Sequence, residues 1–342
     1  MARPDLCGRL QQRAEQPKVH LHADRSRGRR SHYRNDDTRR HKVGTRLGRH
    51  HEGPVATLVG ILALLTGGLG LLIGSFLNVL IYRVPARRSI VSPPSACASC
   101  GARIRPWDNV PVISWLVLRA KCRDCGAQIS VRYPLVELGT AVFFAAVAWW
   151  VVTSSAPGST GMLGVVSTGS TGETIGLAVT LVAFLYLAAV SVALAMIDLD
   201  TYTLPNKIVV PAYPVSAALL VTAALLLGEP GRLVSAAIGG AALFALYLTL
   251  ALLYPGGMGL GDVKLAGVLG LFLGFLGWGP LVVGAFSAFL LGGVFSLVLV
   301  ITRRANRKSS IPFGPWMLAG AWLGIFGGEQ IAAGYLALYG LT

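Results

Sequence analysis

No histidine occurs beyond residue 51 of this 342-residue chain. All six (His20, His22, His32, His41, His50 and His51) lie in a polar N-terminal stretch. The body therefore has no Ser-His or Cys-His pair, no H-E-x-x-H zinc-protease site and no histidine proton relay. Charge is scarce too, at 13% of residues against 54% hydrophobic, a balance that excludes an ordinary soluble domain. Acids are scarcer than bases in the body, with nine after residue 52: Asp108, Asp124, Glu137, Glu173, Asp198, Asp200, Glu229, Asp262 and Glu329. Chemistry in the body has to come from carboxylates, cysteines, hydroxyls or backbone.

What is present in quantity is apolar sequence. From Pro54 onward there are eight apolar stretches near the about 20 residues needed to cross a bilayer. They run roughly over 55–82, 134–153, 174–197, 208–228, 233–254, 264–279, 280–301 and 314–340. The net charge of +15 suggests a nucleic-acid binder until it is divided along the chain. Residues 1–52 hold 14 of the 30 Lys and Arg and 6 of the 15 acids. The rest is scattered through the loops between apolar runs, which is how a membrane protein sets its orientation. No nucleic-acid partner is expected.

The 1–52 stretch lacks apolar periodicity and reads as a disordered basic tail. It is either an over-extended start of translation or an arm touching anionic lipid. The loop at 83–133 carries nine Lys and Arg and is assigned to the cytoplasm. Alternation then puts 154–173, which has no Lys or Arg, outside, and 198–207, 255–263 and 302–313 inside. The tail itself would fall outside, which favours the over-extended start.

Cys97-Ala-Ser-Cys100 and Cys122-Arg-Asp-Cys125 are two C-x-x-C knuckles separated by 21 residues in that basic loop. The spacing suits four thiolates around one tetrahedral zinc, with Gly101 and Gly126 permitting the turns. Two disulfides, disfavoured by a reducing compartment, and free or redox thiols are the alternatives. A four-sulfur site has no open position, so the expected zinc is structural.

Two carboxylates stand at boundaries of apolar runs. Asp198 closes the third in AMIDLDTYTLPN, and Asp262 opens the sixth in GMGLGDVKL. They are 64 residues apart, yet alternation places both at one membrane edge, where a charge is costly and marks function. Two such carboxyls held close do not both ionise cheaply, as in the aspartic-protease dyad. One can take a proton from water while the other polarises a peptide carbonyl. Gly256, Gly257, Gly259 and Gly261 would admit a substrate backbone, and Pro205 breaks the chain after a short turn. Simple pairing of each aspartate with Lys207 or Lys264 is the bland alternative, and packing is the bland role for Gly67, Gly68, Gly70 and Gly74.

These residues resemble the type IV prepilin peptidases, membrane aspartyl proteases with a Gly-x-Gly-Asp motif. The resemblance rests on GSFLNVLIYRVP (Gly74 to Pro85), RPWDNVPVISWLVLRAKC (Arg105 to Cys122), RYPLVEL (Arg132 to Leu138), IDLDTYTLPN (Ile197 to Asn206), GMGLGD (Gly257 to Asp262) and IPFGP (Ile311 to Pro315). It implies an enzyme that removes the basic leader of prepilins and pseudopilins at the cytoplasmic face of the bacterial inner membrane. Asp198 and Asp262 would be the catalytic pair, supported by Gly259, Gly261, Pro205 and Lys264. Cys97, Cys100, Cys122 and Cys125 would hold the zinc. Members with the four-cysteine loop commonly also N-methylate the new terminus with S-adenosylmethionine. One position departs: two residues before the third cysteine such members often have glycine, and here it is Ala120. A presenilin-like intramembrane protease and a zinc-stapled transport or assembly protein are the alternatives.

The expected architecture is thus an all-α polytopic membrane bundle of about eight transmembrane helices with a small cytoplasmic zinc-binding loop domain. Its parts are a tail (1–52), a first span (53–82), the four-cysteine loop (83–133) and a peptidase transmembrane domain (134–342).

Overall fold

An apolar run placed in lipid must close its backbone hydrogen bonds within itself, so each such run here winds into a helix. The computed structural model describes residues 52–154, 170–254, 258–303 and 312–340. Helices, turns and two isolated bridge pairs make up these residues, with no strand among them. The basic tail up to residue 51, Gly256 and Gly257, most of the 154–173 loop, and Arg304, Arg307 and Lys308 lie outside the described residues.

Eight long helices form among the described residues, with one short helix between the first two. They are α1 (Glu52–Arg83), the short α2 (Ile113–Val117), α3 (Arg132–Thr153), α4 (Thr171–Thr201), α5 (Asn206–Leu226), α6 (Gly231–Leu253), α7 (Leu260–Leu276), α8 (Trp278–Ile301) and α9 (Gly314–Leu338). Six are long and apolar enough to cross a bilayer by length and composition: α1 from Val59, α3, α4, α5, α6 and α8. The 17-residue α7 and the α9 helix, diluted by glycine, Glu329 and Gln330, are not among these six. The expectation of about eight spans is therefore matched by helices rather than by eight individually membrane-length apolar segments.

The long helices pack as antiparallel pairs, α1 with α3, α4 with α5, α6 with α7 and α8 with α9. Small residues allow the approach. A Cβ on Gly74 would lie 2.7 Å from Glu137 Cα, one on Gly239 2.6 Å from the Gly270 carbonyl, and one on Gly324 2.6 Å from the Pro280 carbonyl. Gly70 meets α3 equally closely and Gly67 touches it at 3.6 Å, whereas Gly68 faces open space. The packing role expected for this first-helix glycine group thus holds for three of the four.

The core runs through the middle of the bundle, where Phe184 and Phe272 meet edge to face at 5.4 Å and Trp150 packs on Phe184 at 5.0 Å. Eleven of the 17 residues of α7 are buried, against α5, α6, α8 and α9. One residue, Gly277, joins α7 to α8 at φ 133°, a conformation open to glycine alone in practice. Exposed Tyr82, Tyr133, Tyr202 and Tyr254 mark the helix ends nearest the cysteine loop, and exposed Trp149, Trp278, Tyr335 and Tyr339 mark the opposite ends. Two such aromatic belts are the usual boundary of a membrane-spanning bundle.

Candidate active site and cysteine centre

Asp198 sits in the last turn of α4 and is buried, at 4% exposure. That helix ends three residues later, at Thr201, because the next residue, Tyr202, turns left-handed (φ 54°) and returns its N–H to the Asp198 carbonyl. The Asp198 carboxylate accepts a 3.0 Å hydrogen bond from the N–H of Gly314, the first residue of α9. Asp262 lies in the first turn of α7, where its carboxylate reaches back to accept from the Gly259 N–H at 3.1 Å. Gly259 caps the helix without a side chain, so the carboxylate supplies the only side-chain part of this cap.

Leu204 joins the two halves. A Cβ on Gly261 would lie 2.9 Å from Leu204 Cβ, and one on Gly314 would lie 3.4 Å from Leu204 Cδ2 and 2.7 Å from Asp198 Oδ2. Leu204 thus fills the space beside both Gly261, next to Asp262, and Gly314, whose amide holds Asp198, and the Asp198 charge reaches Asp262. Among the described residues neither carboxylate makes an ion pair. Lys264, the nearest cation in sequence, instead donates to Asn206 Oδ1 at 3.0 Å, while its carbonyl accepts from Tyr213 Oη at 2.6 Å. These bonds tie the first turn of α7 to α5. Pro205 stands at the N-cap of α5 and its carbonyl receives the Ile208 and Val209 amides. Asp200, two residues from Asp198, turns away and takes both prongs of Arg132 at 2.9 and 2.5 Å.

The residues expected at the site are therefore brought to one end of the bundle, but Gly261 is occupied differently from expectation. Its open face receives Leu204 rather than lying free for a substrate. The face of Gly259 is bare apart from the Asp262 carboxylate at 3.4 Å. Four further residues border the site without having been singled out: Leu204, Asn206, Gly314 and Tyr247. Asn206 and Leu204 share the short string after Asp198, and Gly314 sits in the IPFGP run, so position alone could have flagged them. Tyr247, buried in α6 within electrostatic reach of Asp262 and 6.2 Å from the Phe313 ring, gave no such signal.

The four cysteines converge, their Sγ atoms all within 4.8 Å of one another, with Cys97 and Cys125 at 3.9 Å. Sulfurs at about 2.3 Å from a tetrahedral zinc lie roughly 3.8 Å apart, so the set fits that ion, and the cysteines are free thiols rather than disulfides. The knuckles are structural copies. Cys97 N–H bonds to Ala102 O and Gly101 N–H to Cys97 O; Cys122 N–H bonds to Ala127 O and Gly126 N–H to Cys122 O. Both glycines adopt φ near 73°. Backbone N–H groups of Cys100 and Ser99 draw the Cys97 thiol down to about 6. Cys125 is pulled down by the Ala127 amide, but crowding by the sulfurs of Cys100, Cys122 and Cys97 pushes it up to about 12. A central cation removes that conflict and leaves four thiolates.

The comparisons with known proteins divide at the same places as the site. Residues 69–151 match the bacterial peptidase A24 N-terminal domain, and residues 185–297 match the type IV leader peptidase family. The chain is 33% identical over 292 residues to a prepilin leader peptidase/N-methyltransferase of Stutzerimonas stutzeri, covering 78% of this chain and 91% of that protein. The chain belongs to the type IV leader peptidase family. Relatives of the same name in Aeromonas hydrophila (34% identical, 78% and 91% covered) and Neisseria gonorrhoeae (33%, 75% and 87%) align over a similar extent. No solved structure matches the chain. As a leader peptidase it is an enzyme, and its apolar helices make it a multi-pass membrane protein. Asp198 and Asp262 both lie within the second matched segment, and all four cysteines within the first.

Proposed function

We propose that the chain is an aspartyl endopeptidase that removes the leader of prepilins and pseudopilins at the cytoplasmic face of the inner membrane. One observation carries the reading: Asp198 and Asp262, from helices far apart in sequence, come to one end of the bundle beside the two glycines that Leu204 fills, Asp262 lies within reach of the Asp198 charge, and neither makes an ion pair among the described residues. The ionised carboxyl takes a proton from water as its oxygen attacks the scissile carbonyl carbon. The protonated carboxyl gives its proton to the carbonyl oxygen. Collapse of the tetrahedral intermediate returns that proton to the carboxyl that gave it, while the first carboxyl passes the proton it took from water to the leaving nitrogen, releasing the mature chain's amine and the leader's new carboxyl end. The Gly314 amide at the start of α9 holds the Asp198 carboxylate, and the Gly259 amide at the N-cap of Asp262's own helix holds that of Asp262.

The cytoplasmic assignment rests on the nine cations of the 83–133 loop. Zinc, held by Cys97, Cys100, Cys122 and Cys125, would staple that loop. Methyl transfer from S-adenosylmethionine to the new amine is the second half of the reading, supported by the relatives' names. The departure at Ala120 bears on it: the alanine adopts φ 59°, a shape glycine takes freely and alanine holds at the cost of strain.

The test is co-expression with a prepilin and mass spectrometry of the pilin N-terminus. Asp198→Asn and Asp262→Asn are each expected to leave the leader in place while the protein still inserts. Continued cleavage by either variant would discard the aspartyl mechanism. A cleaved but unmethylated pilin from the wild type would remove the methyltransferase half alone.

A further inference from the structure

Between the two cysteine knuckles the chain makes a 3-10 turn, Pro106–Asn109, and then α2. The inner side of this segment is used up. Ser114 Oγ donates to Trp107 O and accepts from Val110 N–H, and Trp115 Nε1 donates to Ile129 O. The outer side is not. Ile113, Leu116 and Val117 stand at i, i+3 and i+4 on one face of α2, 59, 61 and 70% exposed, and Trp107 in the preceding turn is 65% exposed. A contiguous apolar face of this kind on a polar loop marks an interaction surface.

The level of this face is fixed by one bond. Val112 N–H donates to Glu137 Oε2 at 2.7 Å, and Val112 is held at φ 59°, costly for a β-branched residue. Glu137 lies in the second turn of α3, and helical side chains lean toward the N-terminus. Val112 is thereby pinned level with the start of α3, where Tyr133 and, on α1, Tyr82 stand exposed in the aromatic belt. The surrounding charge has one sign. Asp108 pairs with Arg123, and Asp124 with Arg105. Arg103, Arg119 and Lys121 have no carboxylate partner among the described residues.

An exposed apolar segment with an amphipathic tryptophan, with unpaired cations just before and after it in the sequence and its Val112 held level with the start of α3, matches the headgroup layer of an anionic bilayer. We propose that residues 106–118 dock into that layer through Trp107, Ile113, Leu116 and Val117, with Arg103, Arg119 and Lys121 on lipid phosphates. The four-cysteine loop is then seated on the membrane rather than hanging free in water.

The experiment uses the full chain in nanodiscs and the tryptophan emission that differs between wild type and Trp107→Phe. In phosphatidylglycerol discs, lipids brominated near the headgroup should quench this Trp107 component and aqueous iodide should spare it. In phosphatidylcholine discs, and in the combined Arg103→Gln, Arg119→Gln, Lys121→Gln variant, bromolipid quenching should fall. A Trp107 component quenched by iodide in both lipids overturns the proposal. So does one shielded from both quenchers, which would mean that a second copy or another protein covers the face. Retained zinc in each variant shows that the loop stays folded.

Discussion

Gly314 and Asp200 sit on either side of Asp198 with opposite expectations. A methyl group at 314 would enter the space of the Asp198 carboxylate, 2.7 Å from its Oδ2, and the backbone N–H that holds it would have to shift. Gly314→Ala is expected to lower prepilin processing about 100-fold, as a misplacement on the ångström scale does, with normal recovery of folded protein. Asp200 is paired with Arg132 where both side chains are about 40% exposed. A pair so placed contributes at most about 1 kcal/mol, so Asp200→Asn should process prepilin nearly as the wild type does. Time courses of leader removal for the two variants check both expectations. The aspartates were legible in the sequence because carboxylates are rare in the body and both stand at the ends of apolar runs. Gly314 was not singled out, because what matters about it is an empty volume facing another helix, and nothing in a linear sequence marks that.

The turn that follows α2 carries strain of its own. Arg119 and Ala120 are consecutive non-glycine residues at φ 51° and 59°. Ala120 is fixed there by bonds from its N–H to Trp115 O and from Ile129 N–H to its carbonyl. Ala120→Gly removes a left-handed penalty of about 1 kcal/mol, offset in part by the greater freedom of the unfolded chain. The expected net result is a cysteine loop that gives up zinc less readily, with the chelator midpoint raised by up to about fivefold, measured on the purified full chain. The helices around this loop were legible from apolar length alone, to within a few residues at most ends. The outward face of α2 was not, since five residues are too few for periodicity to show which side a helix buries. Its short span is read only through the bonds of Ser114 and Trp115.

At the scale of the whole chain, loop charge decides orientation. Alkaline phosphatase fused within 155–169, which has no Lys or Arg, should be active, and the same reporter fused within 83–133 should be inactive. The reverse pattern would place the aspartates on the outer face. That Asp198 and Asp262, 64 residues apart, stand at one end of the bundle follows from alternation, but the packing that holds them there does not. Leu204, filling the spaces left by two glycines, is a packing fact that needed three dimensions.

The one-residue turn at Gly277 has a consequence for depth. It sets the start of α8 level with the end of α7, and α8 then runs back for 24 residues against the 17 of α7. At 1.5 Å per residue, α8 overshoots the first turn of α7 by roughly 10 Å. Asp262 therefore stands below the end of the neighbouring α8. If the carboxyl pair cuts prepilins as proposed, a substrate helix lying in the bilayer would meet it without being pulled out of lipid, and water, the second reactant, would have to make the descent.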